Sequence, residues 1–177
     1  MSRHVALFRG INVGGHNRVP MAELRQVFET LGFENVTSII QSGNVCFDSD
    51  LDAAAITVAI RRAVAASFDV DVPVLLRTRA EIEAALAAHP YPPGEIEPKL
   101  HHVLFLADEA PADAAELIGD HTPSSEYEVI GAEIHVRYPE GSARATLSVA
   151  EVDRALDTVA TARNLPTVEK IAAALAG

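Results

Sequence analysis

The chain has 177 residues, of which 49% are hydrophobic and 22% charged, and this near-average globular composition excludes bulk disorder. Its formal net charge of -11 argues against broad binding to nucleic acid, whose phosphates demand a basic face. No apolar run approaches the roughly 20 residues that cross a bilayer, and the N-terminus lacks a signal-peptide core. We therefore expect a cytoplasmic protein with no membrane partner.

The first half of the chain alternates strand and helix patterns. An apolar run at residues 4–8 predicts a buried strand, and apolar residues at helical spacing predict a helix over residues 20–31. Two strands are predicted at residues 36–40 and 45–47, joined by a polar turn at residues 41–44.

A second helix is predicted after these strands, with Ser49 or Asp50 as its cap and an apolar face over residues 53–64. Residues 69–76 then predict a strand at a sheet edge, because the run contains a proline. The resulting order βαββαβ is that of a ferredoxin-like unit.

The second half partly repeats the first. A helix opening at Thr78 or Arg79 leads into a rigid connector at residues 89–94, and the run at 102–106 echoes that at 4–8. A helix, two strands and two short C-terminal helices complete the pattern. We predict an α+β fold of two ferredoxin-like subdomains, the second a partial repeat, at residues 1–88 and 89–177.

Residues 9–20, which we call the glycine loop, join the first strand to the first helix. In this topology the first two strands run parallel, so the glycine loop and the turn at residues 41–44 should meet at one edge of the sheet. The helix begins there without a good capping residue, and its N–H groups, together with nearby arginines, suit a phosphate or carboxylate. The candidate ligand-binding residues in these segments are Arg9, Asn12, Gly14, Gly15, Arg18, Gln41, Ser42 and Asn44.

Local charge supports this location. Residues 1–25 contain four arginines against one glutamate, on an otherwise acidic chain. A purely structural loop is the alternative, because glycines serve tight turns and asparagine side chains bond to backbone groups. Catalysis by Ser42 with His16 as its base is a third interpretation. The glycine spacing matches neither a dinucleotide fingerprint nor a P-loop.

Metal and cofactor chemistry find little support in the sequence. The single cysteine, Cys46, lies in a strand-like run and is interpreted as a core residue. His101 and His102 are adjacent, so on a strand they face opposite sides and cannot share a metal. We therefore expect no metal and no cofactor.

Several segments of the sequence form a signature. They are Arg9-Gly10-Ile11-Asn12-Val13-Gly14-Gly15, Val19-Pro20-Met21, Gln41-Ser42-Gly43-Asn44-Val45, His89-Pro90-Tyr91-Pro92 and Thr161-Ala162-Arg163-Asn164 with Thr167 and Lys170. Together they resemble the signature of the bacterial domain-of-unknown-function family 1697. The resemblance covers essentially the full length. It implies two ferredoxin-like α+β subdomains and no established activity.

The chain departs from this family pattern near its C-terminus. The family tends to have Ser-Lys-Leu near residues 145–147, and Trp-Asn where this chain has Leu165-Pro166. We add Arg163 and Asn164 to the candidate ligand-binding residues. They would reach from the second subdomain and close over the site at the glycine loop. The alternative is an ordinary helix cap and a surface residue.

Three functions compete at this point, and whether the protein is an enzyme stays open. The first is binding of a small anionic ligand at the glycine loop. The second is a protein-interaction module that pairs through a sheet edge near Val72, with a homodimer as its simplest form. The third, nucleic-acid binding through the sheet, is disfavoured by the acidic charge and by an aromatic content of six Phe and three Tyr.

Overall fold

The structure, a computed structural model, describes residues 1–177. It divides into two compact units, the first comprising Met1–Glu83 with Lys170–Gly177 and the second Ala84–Glu169. Each unit contains one four-stranded sheet. No helix combines the length and the apolar character that crossing a membrane requires.

The sheet of the first unit has the strand order β2-β3-β1-β4, and all of its neighbouring strands are antiparallel. Because β1 and β2 both run antiparallel to β3, they are parallel to each other, as the ferredoxin-like topology requires. The elements are β1 (Ser2–Phe8), α1 (Met21–Thr30), β2 (Glu34–Ile39), β3 (Asn44–Ser49), α2 (Ala53–Phe68) and β4 (Val74–Thr78), followed by α3 (Arg79–Ala88).

Aromatic rings fill the core between this sheet and its helices. Phe47 on β3 stacks on Phe33 with ring centroids 4.7 Å apart, and Phe28 of α1 meets Phe47 edge-on at 5.2 Å. Cys46 belongs to the opposite face of β3 and is buried. Burial raises the pKa of its thiol to about 11, so the side chain stays protonated and acts as an apolar core residue, as predicted.

The second unit has the equivalent strand order β6-β7-β5-β8, again with antiparallel neighbours. The α+β fold of two ferredoxin-like units is therefore confirmed, and the repeat is a complete βαββαβ. Its elements are β5 (His101–Leu106), α4 (Ala114–Ile118), β6 (Glu126–Ile130), β7 (Glu133–Arg137), α5 (Val149–Leu156) and β8 (Ala160–Asn164), followed by α6 (Leu165–Ala176).

Three local predictions are wrong. The cap of α2 is Asp52, whose carboxylate accepts a hydrogen bond from Ala55 N at 2.8 Å, instead of Ser49 or Asp50. The fourth strand begins at Val74 and not at residue 69. Asp69 ends α2 in a left-handed conformation, and the residues between it and Val74 form the connection from the helix to the strand. The sequence also misses β8, a strand that pairs with β5 although alanine and asparagine, residues of low strand propensity, make up most of it.

Candidate functional site

The glycine loop and the turn at residues 41–44 lie side by side at one edge of the first sheet. Leu7 pairs with Asn44, and Phe8 N donates to Gly43 O at 2.8 Å. The Asn12 side chain bridges the two segments by donating from Nδ2 to Gln41 O at 2.9 Å. We call these two segments together the rim. The neighbourhood that the topology predicted is thus present.

Asn12 and Asn17 hold the glycine loop in shape. Asn12 Nδ2 donates to Val19 O at 2.9 Å, and Asn12 Oδ1 accepts from Val19 N at 2.8 Å. Asn17 donates to Gly10 O, while its own carbonyl accepts from Asn12 N. Both asparagines adopt positive φ, which asparagine tolerates better than most residues. The amide of Asn12 is therefore engaged with backbone groups, as the structural interpretation of the loop expected.

The tip of the glycine loop is a tight turn. Val13 and His16 form an isolated antiparallel bridge, in which His16 N donates to Val13 O at 3.0 Å. Gly14 and Gly15 lie between them with φ of 58° and 80°, a pair of values typical of a two-residue turn that excludes most side chains. All four residues are exposed, so this tip projects into solvent.

The turn at residues 41–44 is packed against the loop from the other side. A Cβ on Gly43 would lie 2.7 Å from Ile11 Cδ1, so the glycine permits the close approach of the two segments. Asn44 is fully buried and donates to Ile39 O at 3.0 Å and to Ser42 Oγ at 3.3 Å. No hydrogen bond joins Ser42 to His16, so the structure lacks the nucleophile and base pair considered above.

Positive groups collect at the rim. Arg18 is exposed and makes no hydrogen bond or ion pair, while Arg9 is partly buried at the end of β1. Helix α1 begins after Pro20 with no side-chain cap, which leaves its first N–H groups to solvent or to a ligand. Glu23 in the first turn is the only acidic residue of this turn and partly offsets the positive end of the helix.

Arg163 and Asn164 lie on β8 in the second unit. Arg163 donates from Nη1 to Thr161 Oγ1 and to Ala162 O, each at 2.8 Å, and burial lowers its pKa to about 10. Asn164 Oδ1 accepts from Thr167 N at 3.0 Å and so caps α6. The Asn164 side chain thus serves as a helix cap.

Sequence reasoning missed a chain of three histidines in the second unit. His89 Nδ1 lies 3.1 Å from His135 Nδ1, and His89 Nε2 lies 3.1 Å from His101 Nδ1. Because His89 directs one nitrogen at each neighbour, the three rings do not converge on one point. Accordingly, no group of three His, Cys, Asp or Glu side chains could hold a metal ion. We call these residues the imidazole chain.

Burial keeps the imidazole chain uncharged near neutral pH. Desolvation, followed by the charge of the adjacent ring, lowers the pKa of His89 to about 4 and that of His135 to about 4. Desolvation, then the charge of Arg137, also lowers the pKa of His101. The alternation of side chains along a strand links two of these residues. Val103 pairs with His135, and His101 lies on the same face of β5 as Val103, so His101 and His135 share one face of the sheet.

Comparisons with known proteins agree with this architecture. The chain is similar to the solved structure of conserved bacterial protein SP0830 from Streptococcus pneumoniae, with 26% identity, 98% of each chain covered and a TM-score of 0.73. A comparison with curated proteins gives no match. The profile of the family described as "Protein of unknown function (DUF1697)" matches residues 1–135, which is most of the chain. The chain therefore belongs to the DUF1697 family of proteins of unknown function.

Proposed function

We propose that the first unit binds a small ligand carrying a phosphate or carboxylate group at the rim. The observation that carries this proposal is the uncapped start of α1, which shortly follows the exposed and unpaired Arg18 in the chain. Helix N-termini attract anions through their free N–H groups and the positive end of the helix dipole. An arginine adds a planar donor set that matches phosphate and carboxylate oxygens.

The remaining rim residues divide into ligand contacts and supports. Arg9, Gln41 and Ser42 are the side chains that would complete the contact with the anion, and Gly14 and Gly15 would offer backbone N–H groups. Asn12 and Asn44 act as supports, because their amides are committed to the backbone of the two segments. Hydrogen bonds of this kind fix the geometry on which an anion site depends.

The test is a thermal-shift titration with inorganic phosphate, a nucleoside monophosphate and a dicarboxylate. A ligand that binds only the folded protein adds about 2.7 kcal/mol to the free energy of unfolding at a hundredfold excess over Kd. The melting temperature rises as a result. We expect Arg18→Ala to remove most of this shift and Glu23→Gln to enlarge it, because that change deletes the only carboxylate of the first turn.

Arg62→Ala is the matched control for this titration, since Arg62 is an exposed arginine on α2. It changes the net charge by the same amount as Arg18→Ala and should leave the shift intact. The proposal fails if no member of the panel moves the melting temperature. It fails equally if Arg62→Ala and Arg18→Ala weaken binding to the same extent, because the effect would then be one of total charge.

A second candidate function, a protein-interaction module, rests on two exposed apolar side chains, one in the rim and one directly before its turn. Val13 is 60% exposed and Ile40, next to the turn, is 45% exposed. Ile40 also has φ of 51°, an unusual conformation for a β-branched residue and one that marks functional sites. Pairing through the β2 edge is less suitable, because a register shift between Glu34 and Thr37 interrupts that strand.

For this second candidate we expect wild-type protein to form a homodimer in light scattering and Val13→Ser with Ile40→Ser to shift it to monomer. Val58→Ser is the matched control, because Val58 is 57% exposed and belongs to α2, outside the segments of the rim. Hydrogen exchange should show protection of residues 9–20 that depends on protein concentration. A monomer at all concentrations, with no such protection, would exclude self-association through the rim.

A further inference from the structure

The second unit holds another histidine, His121, in contact with hydroxyl side chains at its surface. Nδ1 of His121 lies 3.0 Å from Thr146 Oγ1, which in turn lies 2.8 Å from Ser124 Oγ. These groups come from two segments, residues 121–125 between α4 and β6 and residues 146–147 before α5. Thr146 is exposed, and its hydrogen bond to His121 lies at the surface. A molecule in solution can therefore reach this hydroxyl.

The tautomer of His121 follows from its other ring nitrogen. Nε2 lies 3.2 Å from Ile118 O, and because a carbonyl oxygen only accepts, Nε2 carries the proton. Nδ1 is left with a lone pair, so the Thr146 hydroxyl donates to it. Ser124 then donates to Thr146 Oγ1, since two oxygen lone pairs would otherwise face each other at 2.8 Å. The other acceptor near Ser124 Oγ, His121 O at 3.0 Å, already accepts from Ser125 N.

Hydrogen bonds fix the two segments against each other. Thr146 N donates to Ser124 Oγ and Leu147 N donates to Ser125 Oγ, each at 3.3 Å. Ser125 and Leu147 are fully buried, so the backbone on either side of the contact is anchored. A hydroxyl beside a base that is itself oriented by a third group is the arrangement that activates serine and threonine nucleophiles.

Carboxylates near His121 determine which molecules this hydroxyl would attack. Hydrogen bonds from Thr122, with a smaller effect of the His121 charge, lower the pKa of Asp120. Hydrogen bonding to Arg154, with smaller effects of the Arg154 and His121 charges, lowers the pKa of Glu151. Both carboxylates are therefore close enough to His121 to stabilise the imidazolium that forms when it takes up a proton. Since they also repel anions, an uncharged reactant suits these surroundings.

We propose that Thr146 is a nucleophile with His121 as its general base, and that the two residues transfer the acyl group of an uncharged ester that has a good leaving group. Thr146 Oγ1 bonds to the ester carbonyl carbon while its proton passes to His121 Nδ1. The bond from that carbon to the leaving oxygen breaks, and Nδ1 returns the proton to this oxygen. Water then gives a proton to Nδ1 and attacks the acyl-threonine, which releases the carboxylic acid as Thr146 Oγ1 recovers the proton.

The probe is p-nitrophenyl butyrate, and the full chain is followed by release of p-nitrophenol and by mass spectrometry of samples stopped in acid. We expect a butyryl group on Thr146, within the tryptic peptide of residues 145–154. The hemisuccinate of p-nitrophenol has the same leaving group and an anionic acyl part. It should react several-fold more slowly, and added salt should narrow the difference because it screens the two carboxylates.

Variants of the two residues assign their roles. Thr146→Val should abolish the acylation of this peptide, and Thr146→Ser should retain it. His121→Gln should slow the release of p-nitrophenol about a hundredfold, because it removes the general base. Thr30→Val and His16→Gln remove an exposed hydroxyl and an exposed imidazole of the first unit. They are the matched controls and should leave the rate unchanged.

Three results would overturn the proposal. They are a wild-type rate matched by Thr146→Val, an acyl group on Ser124 in place of Thr146, and equal effects of His121→Gln and His16→Gln. If a variant misfolds, the position of the acyl group in the wild-type chain decides the matter. The rim plays no part in this reaction, so failure at Thr146 leaves the anion site of the first unit untouched, and the converse also holds.

Discussion

Replacing Gly43 with alanine should destabilise the protein by roughly 2–5 kcal/mol, the sum of left-handed backbone strain and overpacking. Gly43 has φ of 80°, and an added Cβ would lie 2.7 Å from Ile11 Cδ1 and 2.8 Å from Phe8 Cβ. Phe8 is almost wholly buried and cannot move aside without disturbing the core. Urea denaturation of the variant measures the loss.

Gly10→Ala separates these two contributions. Gly10 has φ of 73°, but an added Cβ there would meet no atom within 4 Å. We therefore expect Gly10→Ala to cost only the backbone strain, about 1–2 kcal/mol. Equal losses for Gly10→Ala and Gly43→Ala would show that the contact between the turn and Ile11 is not tight in solution. The anion titration applied to Gly43→Ala then reports whether the rim depends on that contact.

Acidification should destabilise the second unit through the imidazole chain. The pKa of His135 falls from 6.5 to about 4 on folding. Between pH 6.5 and pH 4 the unfolded chain therefore takes up a proton at this residue and the folded chain does not. Stability is complete above pH 6.5 and decreases as the pH falls towards 4. For His135 alone the loss is about 3 kcal/mol, from roughly 1.4 kcal/mol per pKa unit. Denaturation in urea at stepped pH measures it.

His135→Phe should flatten this dependence on pH, because the variant lacks the most deeply buried ring of the chain. Some dependence will persist, since burial also lowers the pKa of His4, His89 and His102. His16→Gln is the control: His16 is exposed, and its removal should leave the slope unchanged. A wild-type protein equally stable at pH 4 and pH 7 would contradict a neutral, buried imidazole chain.

The rim could be located from sequence because topology determines it. Once the order βαββ is recognised, the end of β1 and the turn before β3 must meet at one sheet edge, whatever their side chains do. The roles of the individual residues did not follow. Asn12 was a candidate ligand contact, and the structure shows its amide bonded to Val19 and Gln41 backbone groups. Hydrogen bonding between segments distant in sequence is decided by packing, which periodicity does not describe.

The imidazole chain was missed for a related reason. His89 lies in an irregular connector and His101 and His135 lie on separate strands, so no local pattern joins them. The adjacency of His101 and His102 excludes a metal shared by these two residues on a strand, but it carries no information about His135, which lies on the paired strand β7. Strand β8 was missed likewise, because alanine and asparagine have low strand propensity and pairing with β5 overrides it.

The burial of Cys46 has a practical consequence. A thiol with a pKa of about 11 and no solvent contact will react negligibly with alkylating dyes while the protein is folded. The natural chain is therefore already suited to single-site labelling, and a cysteine introduced at the loop tip would be the sole attachment point. The Cys46 thiol would become reactive only when β3 leaves the sheet. The rate at which Cys46 is labelled therefore measures the rate at which the first unit opens.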